Sequence, residues 1–198
     1  MLNTGLERET DPDKRYLYSI RGIQHADYLR RVGEADYARR VAEANLEICE
    51  RNHWADNISA SHRVLGDLAA DAGDHESARQ HYEAALKTAR SISMQFVLIE
   101  ALLARGRWQA RFSAAPGMTP GDYGFNDLNE ALGYAQGGYR IYEADIRVAL
   151  AWAHRASGDS DMAKAEATRA LTMSKEMGYH WGKVDAEEVL GELGFVIE

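Results

Sequence analysis

GEADYARRVAEAN (residues 33–45), GDHESARQHYEAA (73–85) and GDSDMAKAEATRA (158–170) are one pattern written three times. Each stretch begins with Gly and an acidic residue. Each sets a small residue at the same offset, Ala38, Ala78 and Ala163. One helical turn on stand Ala42, Tyr82 and Ala167, and a further turn on Asn45, Ala85 and Ala170. Steps of four and three residues keep these positions on one face of a helix. The Gly suits a helix end that needs the left-handed conformation. The polar residues after it suit a turn and the cap of the next helix. The small Ala lets two antiparallel helices approach closely. The pattern therefore predicts a repeated helical hairpin.

The step from Ala38 to Ala78 is 40 residues and that from Ala78 to Ala163 is 85, the length of two units. FNDLNEALGYA (125–135) fits the missing unit, with Ala131 matching Ala85 and Ala170. The long step contains SAAPGMTPGDYG (113–124), which reads as an inserted surface loop. A solenoid tolerates such an insertion because each unit touches only its neighbours. Met118 and Tyr123 of this loop are candidates for contact with a ligand or a second copy; a plain insertion is the alternative.

The rest of the chain is read in the same register. Pro occurs three times, at Pro12, Pro116 and Pro120, leaving long stretches rich in Ala, Leu, Glu and Arg that favour helix. Leu65, Leu68, Ala69 and Ala72 recur at helical steps. The expected helices span about 13–32, 35–51, 54–72, 75–91, 94–112, 124–137, 139–157, 160–177 and 180–193. The expected organisation is an N-terminal tail (1–12) and one repeat domain (13–198). Its units are 13–53, 54–93, 94–138 and 139–179, with a capping helix at 180–193 that covers the apolar end of the stack.

Bulk properties set limits. The chain has 198 residues, 45% hydrophobic and 27% charged, the composition of a soluble globular domain. Acidic residues (31) outnumber basic ones (23), for a net charge of -8, which argues against a nucleic-acid partner. The single Cys49 can form no internal disulfide and fits a reducing compartment. The polar start, MLNTGLERETDPDKR, lacks the apolar core of a secretory signal. No apolar run approaches a membrane span. A cytoplasmic protein without a membrane partner is expected.

These residues resemble tetratricopeptide repeats. The Leu-Gly pair of that repeat's first helix appears as Leu65-Gly66, with Gly106 in the same place in the third unit. The small residue of its second helix appears as Ala38, Ala78 and Ala163. Ala26 and Ala151 stand where Gly is usual, which implies slightly wider helix pairs there. No unit ends with the common Pro, and the units exceed the usual ~34 residues. The resemblance implies an all-α fold, a right-handed α-α superhelix of four helix hairpins plus a C-terminal capping helix. It also implies a protein- or peptide-binding module with no cofactor, no metal and no catalysis. Residues 18–54 and 139–181 are further similar to units in the sensor arms of bacterial STAND-type signalling NTPases. No GxxxxGK[ST] phosphate loop occurs in this chain, so the likeness implies a sensor or scaffold part and not nucleotide hydrolysis. A self-assembling module is the alternative, with a small-molecule or catalytic groove behind it.

In that architecture the first helix of each pair lines a concave face. The side chains expected to project there are Asp27, Arg30 and Arg31; Arg63, Asp67 and Asp71; Arg107 and Arg111; and Asp145, Trp152 and Arg155. Six arginines would give the groove a positive lining suited to carboxylate or phosphate groups. Pairing with the neighbouring aspartates, or simple solvation, is the competing reading. The Lys and Asn of the chaperone-tail-binding repeats are absent. Trp152 and Tyr142 are candidate peptide anchors, with packing between repeats as the competing reading; Trp54, Trp108 and Trp181 read as core. Of the seven histidines, no two have zinc-helix spacing. His25, His62 and His154 fall on first helices and could meet; packing between helices is the commoner outcome. His75 and His81 fall on different faces. Ser59 and Ser61 lack a nucleophile-elbow context.

Overall fold

A computed structural model describes residues 19–112 and 123–195. The expected tail (1–12), the start of the first expected helix and Met118 lie outside the described residues. Among these the chain forms nine helices and no strand. They are α1 (Ile20–Arg31), α2 (Ala35–Arg51), α3 (Ala55–Asp71), α4 (His75–Arg90), α5 (Gln95–Phe112), α6 (Phe125–Ala135), α7 (Arg140–Ser157), α8 (Ser160–Met177) and α9 (His180–Glu192). The chain is an all-α stack of four hairpins, α1–α2 to α7–α8, followed by α9 as a cap.

The turns work as their sequence dictates. Gly33, Gly73 and Gly158 have φ of +89°, +76° and +89°, where a side chain would be strained. Asp74 and Asp159 accept hydrogen bonds from the backbone N–H groups of Ser77 and Met162, each at 3.1 Å. Glu34, in the same place in the first unit, makes no such cap bond. Its longer side chain is a poor match for a geometry that favours Asp.

Inside the hairpins, size is balanced across the pair. Ala38, Ala78 and Ala163 are each the fourth residue of their helix and are fully buried. A Cβ added at Gly66 would lie 2.8 Å from the Tyr82 ring, and one at Gly106 would lie 2.7 Å from Leu128. Where the second helix carries a large residue, the first carries Gly; where it carries Ala42 or Ala167, the first carries Ala26 or Ala151. Buried polar groups are matched as well. Asn45, in register with Ala85 and Ala170, donates to Ser61 at 2.9 Å. Arg147, 2% exposed, is held by Glu143 and Glu166, each at 2.7 Å. Large side chains such as Ile99, Leu102 and Ile146 are fully buried, each stabilising the fold by about 1.5–3 kcal/mol.

The curvature follows from which helices touch. Each helix packs on the next, and the first helices also pack on one another: α1 on α3, α3 on α5, α5 on α7 and α7 on α9. The second helices, α2, α4, α6 and α8, make no such contact among themselves. The inner layer is therefore tight and the outer layer splayed, which bends the stack into a superhelix with first helices on its hollow side. α9 buries Ala186, Val189 and Leu190 against α7 and α8 and takes the place of a fifth first helix.

Candidate functional site

The inner faces of α1, α3, α5, α7 and α9 enclose two adjoining hollows. The larger, about 500 Å³, is lined by residues that include Arg30, Arg31, Asp67, Asp71, Arg107, Arg111 and Trp152. The smaller, about 160 Å³, is lined by Asp27, Arg31, Arg63, Glu100, Leu103, Ala104, Arg107, Tyr142, Asp145 and Tyr179. Arg31 and Arg107 line both. The structure thus brings together all the groove residues expected from sequence except Arg155. That side chain lies outside both hollows, over the Trp152 ring at 5.3 Å, and donates to Glu192 at 2.8 Å.

The expected positive lining is not present. Each of the six arginines has an acidic partner. Arg30 reaches Asp71 at 2.7 Å and Asp27 at 3.3 Å. Arg31 lies 3.7 Å from Asp27 and 3.8 Å from Asp185. Arg111 meets Glu188 at 2.7 Å. Asp67, 4% exposed, is the hub: Arg107 donates to both its oxygens at 3.1 Å, Arg63 lies at 3.8 Å and Arg30 at 4.0 Å. The Tyr82 hydroxyl also donates to it at 2.7 Å. Burial alone would raise the Asp67 pKa, but Arg107, Arg30, Arg63 and Tyr82 together outweigh it and hold the carboxyl down at about 2. The groove is a lattice of opposite charges, because arginines of one helix meet acids of another: Arg107 with Asp67, Arg30 with Asp71 and Arg111 with Glu188.

Several lining residues were missed, three of them on α9. Trp181, Asp185 and Glu188 of α9 face the larger hollow. Trp181 is not core: it is 37% exposed, with the Arg31 guanidinium 5.0 Å above its ring. Trp54 is likewise 37% exposed, while Trp108 is buried at 5%. The spacing of Trp181, Asp185 and Glu188 repeats that of a groove stripe. Reading α9 only as a cap hid it. The Arg111 and Arg155 guanidiniums lie 4.9 Å and 5.3 Å from the Trp152 ring centre, and the ring itself is 9% exposed and packs in the core between repeats.

The smaller hollow has a different character. The Tyr142 hydroxyl donates to Glu100 Oε1 at 2.6 Å, and the Tyr179 hydroxyl to Asp145 Oδ2 at 3.1 Å. The buried Asp145 Oδ1 and Arg63 Nε have no hydrogen-bond partner among the described residues. Burial raises the Asp145 pKa to about 7, against the opposing pull of Tyr179 and Arg107. The folded chain thus holds a proton that the unfolded chain releases above the usual carboxyl range. This contribution to stability is full below about 3.8 and is lost as pH rises through about 7. Asp145→Asn removes that slope. In thermal melts the variant should gain on the wild type between pH 5 and pH 8, by on the order of 2 kcal/mol. Parallel pH profiles would contradict the assignment.

The histidines of the first helices do not meet. His25 packs edge-on to Tyr37, His154 packs on Phe125, and His62 Nδ1 lies 3.0 Å from His81 Nδ1. His75 sits apart from His81, against Phe112 and Trp108. Among the described residues no three His, Cys, Asp or Glu side chains gather as a metal site. Ser59 donates to the Ala85 carbonyl and Ser61 accepts from Asn45.

No curated protein matches the chain. The family model of the tetratricopeptide repeat matches residues 64–92 and 144–177, which fall on α3–α4 and α7–α8. With the hairpin stack and its register of small residues, these two matches support a tetratricopeptide repeat family for this chain.

Proposed function

We propose that this chain holds a segment of a partner protein in its concave face and performs no covalent chemistry there. Tetratricopeptide repeats generally mediate protein–protein interaction or scaffolding. The observation that carries the reading is an exposed aromatic within the curl: Trp181, 37% exposed, lines a hollow of about 500 Å³ whose wall includes the buried Trp152, 9% exposed. Aromatic anchors in concave sites dominate binding energy. Helix walls hold them in place before the partner arrives, which lowers the entropic cost of association. The half-exposed pair of Arg111 with Glu188 is worth about 0–1 kcal/mol and can exchange partners cheaply. The set is Asp27, Arg30, Arg31, Arg63, Asp67, Asp71, Arg107, Arg111, Asp145 and Trp152, with Arg155 steadying Trp152. The finer reading, supported by the likeness of residues 18–54 and 139–181 to sensor-arm units, is a ligand-sensing or scaffold part of a bacterial signalling protein in the cytoplasm.

The test is a displayed random-peptide library selected on the wild-type chain. Recovered peptides should bind Trp152→Ala/Trp181→Ala at least tenfold more weakly, with the helical circular dichroism unchanged. Equal binding to both would remove the concave face as the site.

A second reading, self-assembly, is favoured by one observation. Ile20, Tyr28 and Val32 lie at multiples of four residues along α1 and its end and are 49%, 56% and 47% exposed. Light scattering over a concentration series decides it, since a monomer throughout excludes the homo-oligomer.

A further inference from the structure

We propose that the smaller hollow is a receptor for a primary alkylammonium group, the lysine side chain of the segment held by the concave face. The inference rests on the peptide-binding reading and adds the chemistry of one residue of the ligand.

Three guanidiniums (Arg31, Arg63 and Arg107) and three carboxyls (Asp27, Glu100 and Asp145) line the hollow, but they are not paired one to one. Asp27, Asp67, Asp71 and Asp185 each have a guanidinium within 4.0 Å. Glu100 on α5 and Asp145 on α7 have none among the described residues; each is held by a phenol instead. Arg63 attracts Glu100, and Arg107 and Arg31 attract Asp145, but from beyond ion-pair range. Two carboxylates therefore face the hollow without a cation in contact. The buried Asp145 Oδ1 is left without any partner. A buried acceptor in that state is costly, and a donor entering the hollow removes the cost.

The geometry selects among cations. One oxygen of each carboxylate is already taken, Glu100 Oε1 by Tyr142 and Asp145 Oδ2 by Tyr179. Each can offer one oxygen more. A guanidinium is best met by two oxygens of one carboxylate, whereas an ammonium takes single contacts from several acceptors. Leu103 and Ala104 supply apolar wall for a methylene stem. A volume of about 160 Å³ suits one unbranched side chain. Arg31 and Arg107 border both hollows, so a backbone lying in the larger one can pass a side chain into the smaller. Arg63 Nε, on the same wall, is a buried donor without a hydrogen-bond partner among the described residues. An ammonium beside Asp145 also draws its carboxyl, poised at about 7, toward the ionised form. Binding at neutral pH then releases a proton.

The hollow is tested without any peptide. Butylammonium chloride is titrated into the intact chain at constant ionic strength, against sodium chloride and butylguanidinium chloride. Calorimetry at pH 7 in two buffers of different ionisation enthalpy counts protons. Butylammonium should bind saturably at millimolar concentration, release a fraction of a proton and exceed butylguanidinium. Glu100→Gln with Asp145→Asn should weaken it about tenfold or more while the melt stays cooperative. Non-saturable heats, or equal binding by a folded double variant, would overturn the proposal; proton release by the wild type decides it if the variant does not fold. Peptides selected on the concave face give the second arm. Loss of binding on acetylating lysine, but not on acetylating the N-terminus, supports the lysine. The reverse, or indifference to both, overturns it and leaves peptide binding standing.

Discussion

Replacing Asp67 by alanine is expected to cost about 3–5 kcal/mol, the size of effect seen when one partner of a buried ion cluster is removed. The 4% exposed carboxylate sits among Arg107, Arg63 and Arg30 and accepts from Tyr82. Without it Arg107 loses the carboxylate it donates to, Arg63 and Arg30 each lose a neighbouring negative charge, and a buried phenol loses its acceptor. Equilibrium unfolding in urea measures the cost, and a loss under about 1 kcal/mol would refute the hub. The pH dependence has a definite sign. A carboxyl held down at about 2 gives stability that is present above the usual value of 3.8 and lost as pH falls through about 2. The Asp67 contribution should therefore persist at pH 5, where Asp67→Ala still falls well below the wild type. The same substitution should disturb the groove, because Arg107 is aimed by this one residue.

Gly124→Ala is the second large effect, expected at about 3 kcal/mol or more. Two independent penalties add. Gly124 has φ of +77°, where a side chain is strained. A Cβ there would also collide with the Gly106 carbonyl oxygen and lie 2.8 Å from its Cα. Those are backbone atoms of α5 and cannot swing aside, so overpacking adds to the strain. For a domain of this size the melting temperature should fall by roughly 6–12 °C. Gly33→Ala is the control: it has a similar φ of +89° but open space around it, so it should pay the strain alone. Equal losses in the two variants would mean that the close approach of α5 to the start of α6 contributes nothing.

Gly124 also explains how much of the fold was legible. It lies seven residues before Ala131, as Ala78 lies seven before Ala85. From sequence alone Gly124 falls in the inserted loop, and the period of small residues, with Ala131 in register with Ala85 and Ala170, locates the third hairpin. Helix identity and register came from that period because close helix approach is a local demand on side-chain size. The first helices of the groove could be read for the same reason, which is why Asp27, Arg30, Asp67, Arg107 and Trp152 share one concavity. The sign of the groove could not. Whether an arginine is free depends on acids some 40 residues away, as for Arg107 with Asp67 and Arg30 with Asp71. The role of α9 was hidden in the same way: burial of Ala186 and Val189 marks a cap, while Trp181 and Asp185 become groove residues only through the curvature of the four hairpins before them. Glu100 and Tyr179 carry no signal in a single sequence, because their significance lies in what fails to reach them.

The contact of Arg31 with Asp185 and Trp181 has a consequence for how the molecule comes apart. A linear array, coupled only between neighbours, can fray from either terminus one hairpin at a time. Here the opening helix and the closing helix clasp each other through side chains, although no backbone of one packs on the other. Loss of either helix removes these contacts from the other, so melting gains a link between the first and last described helices that nearest-neighbour coupling lacks.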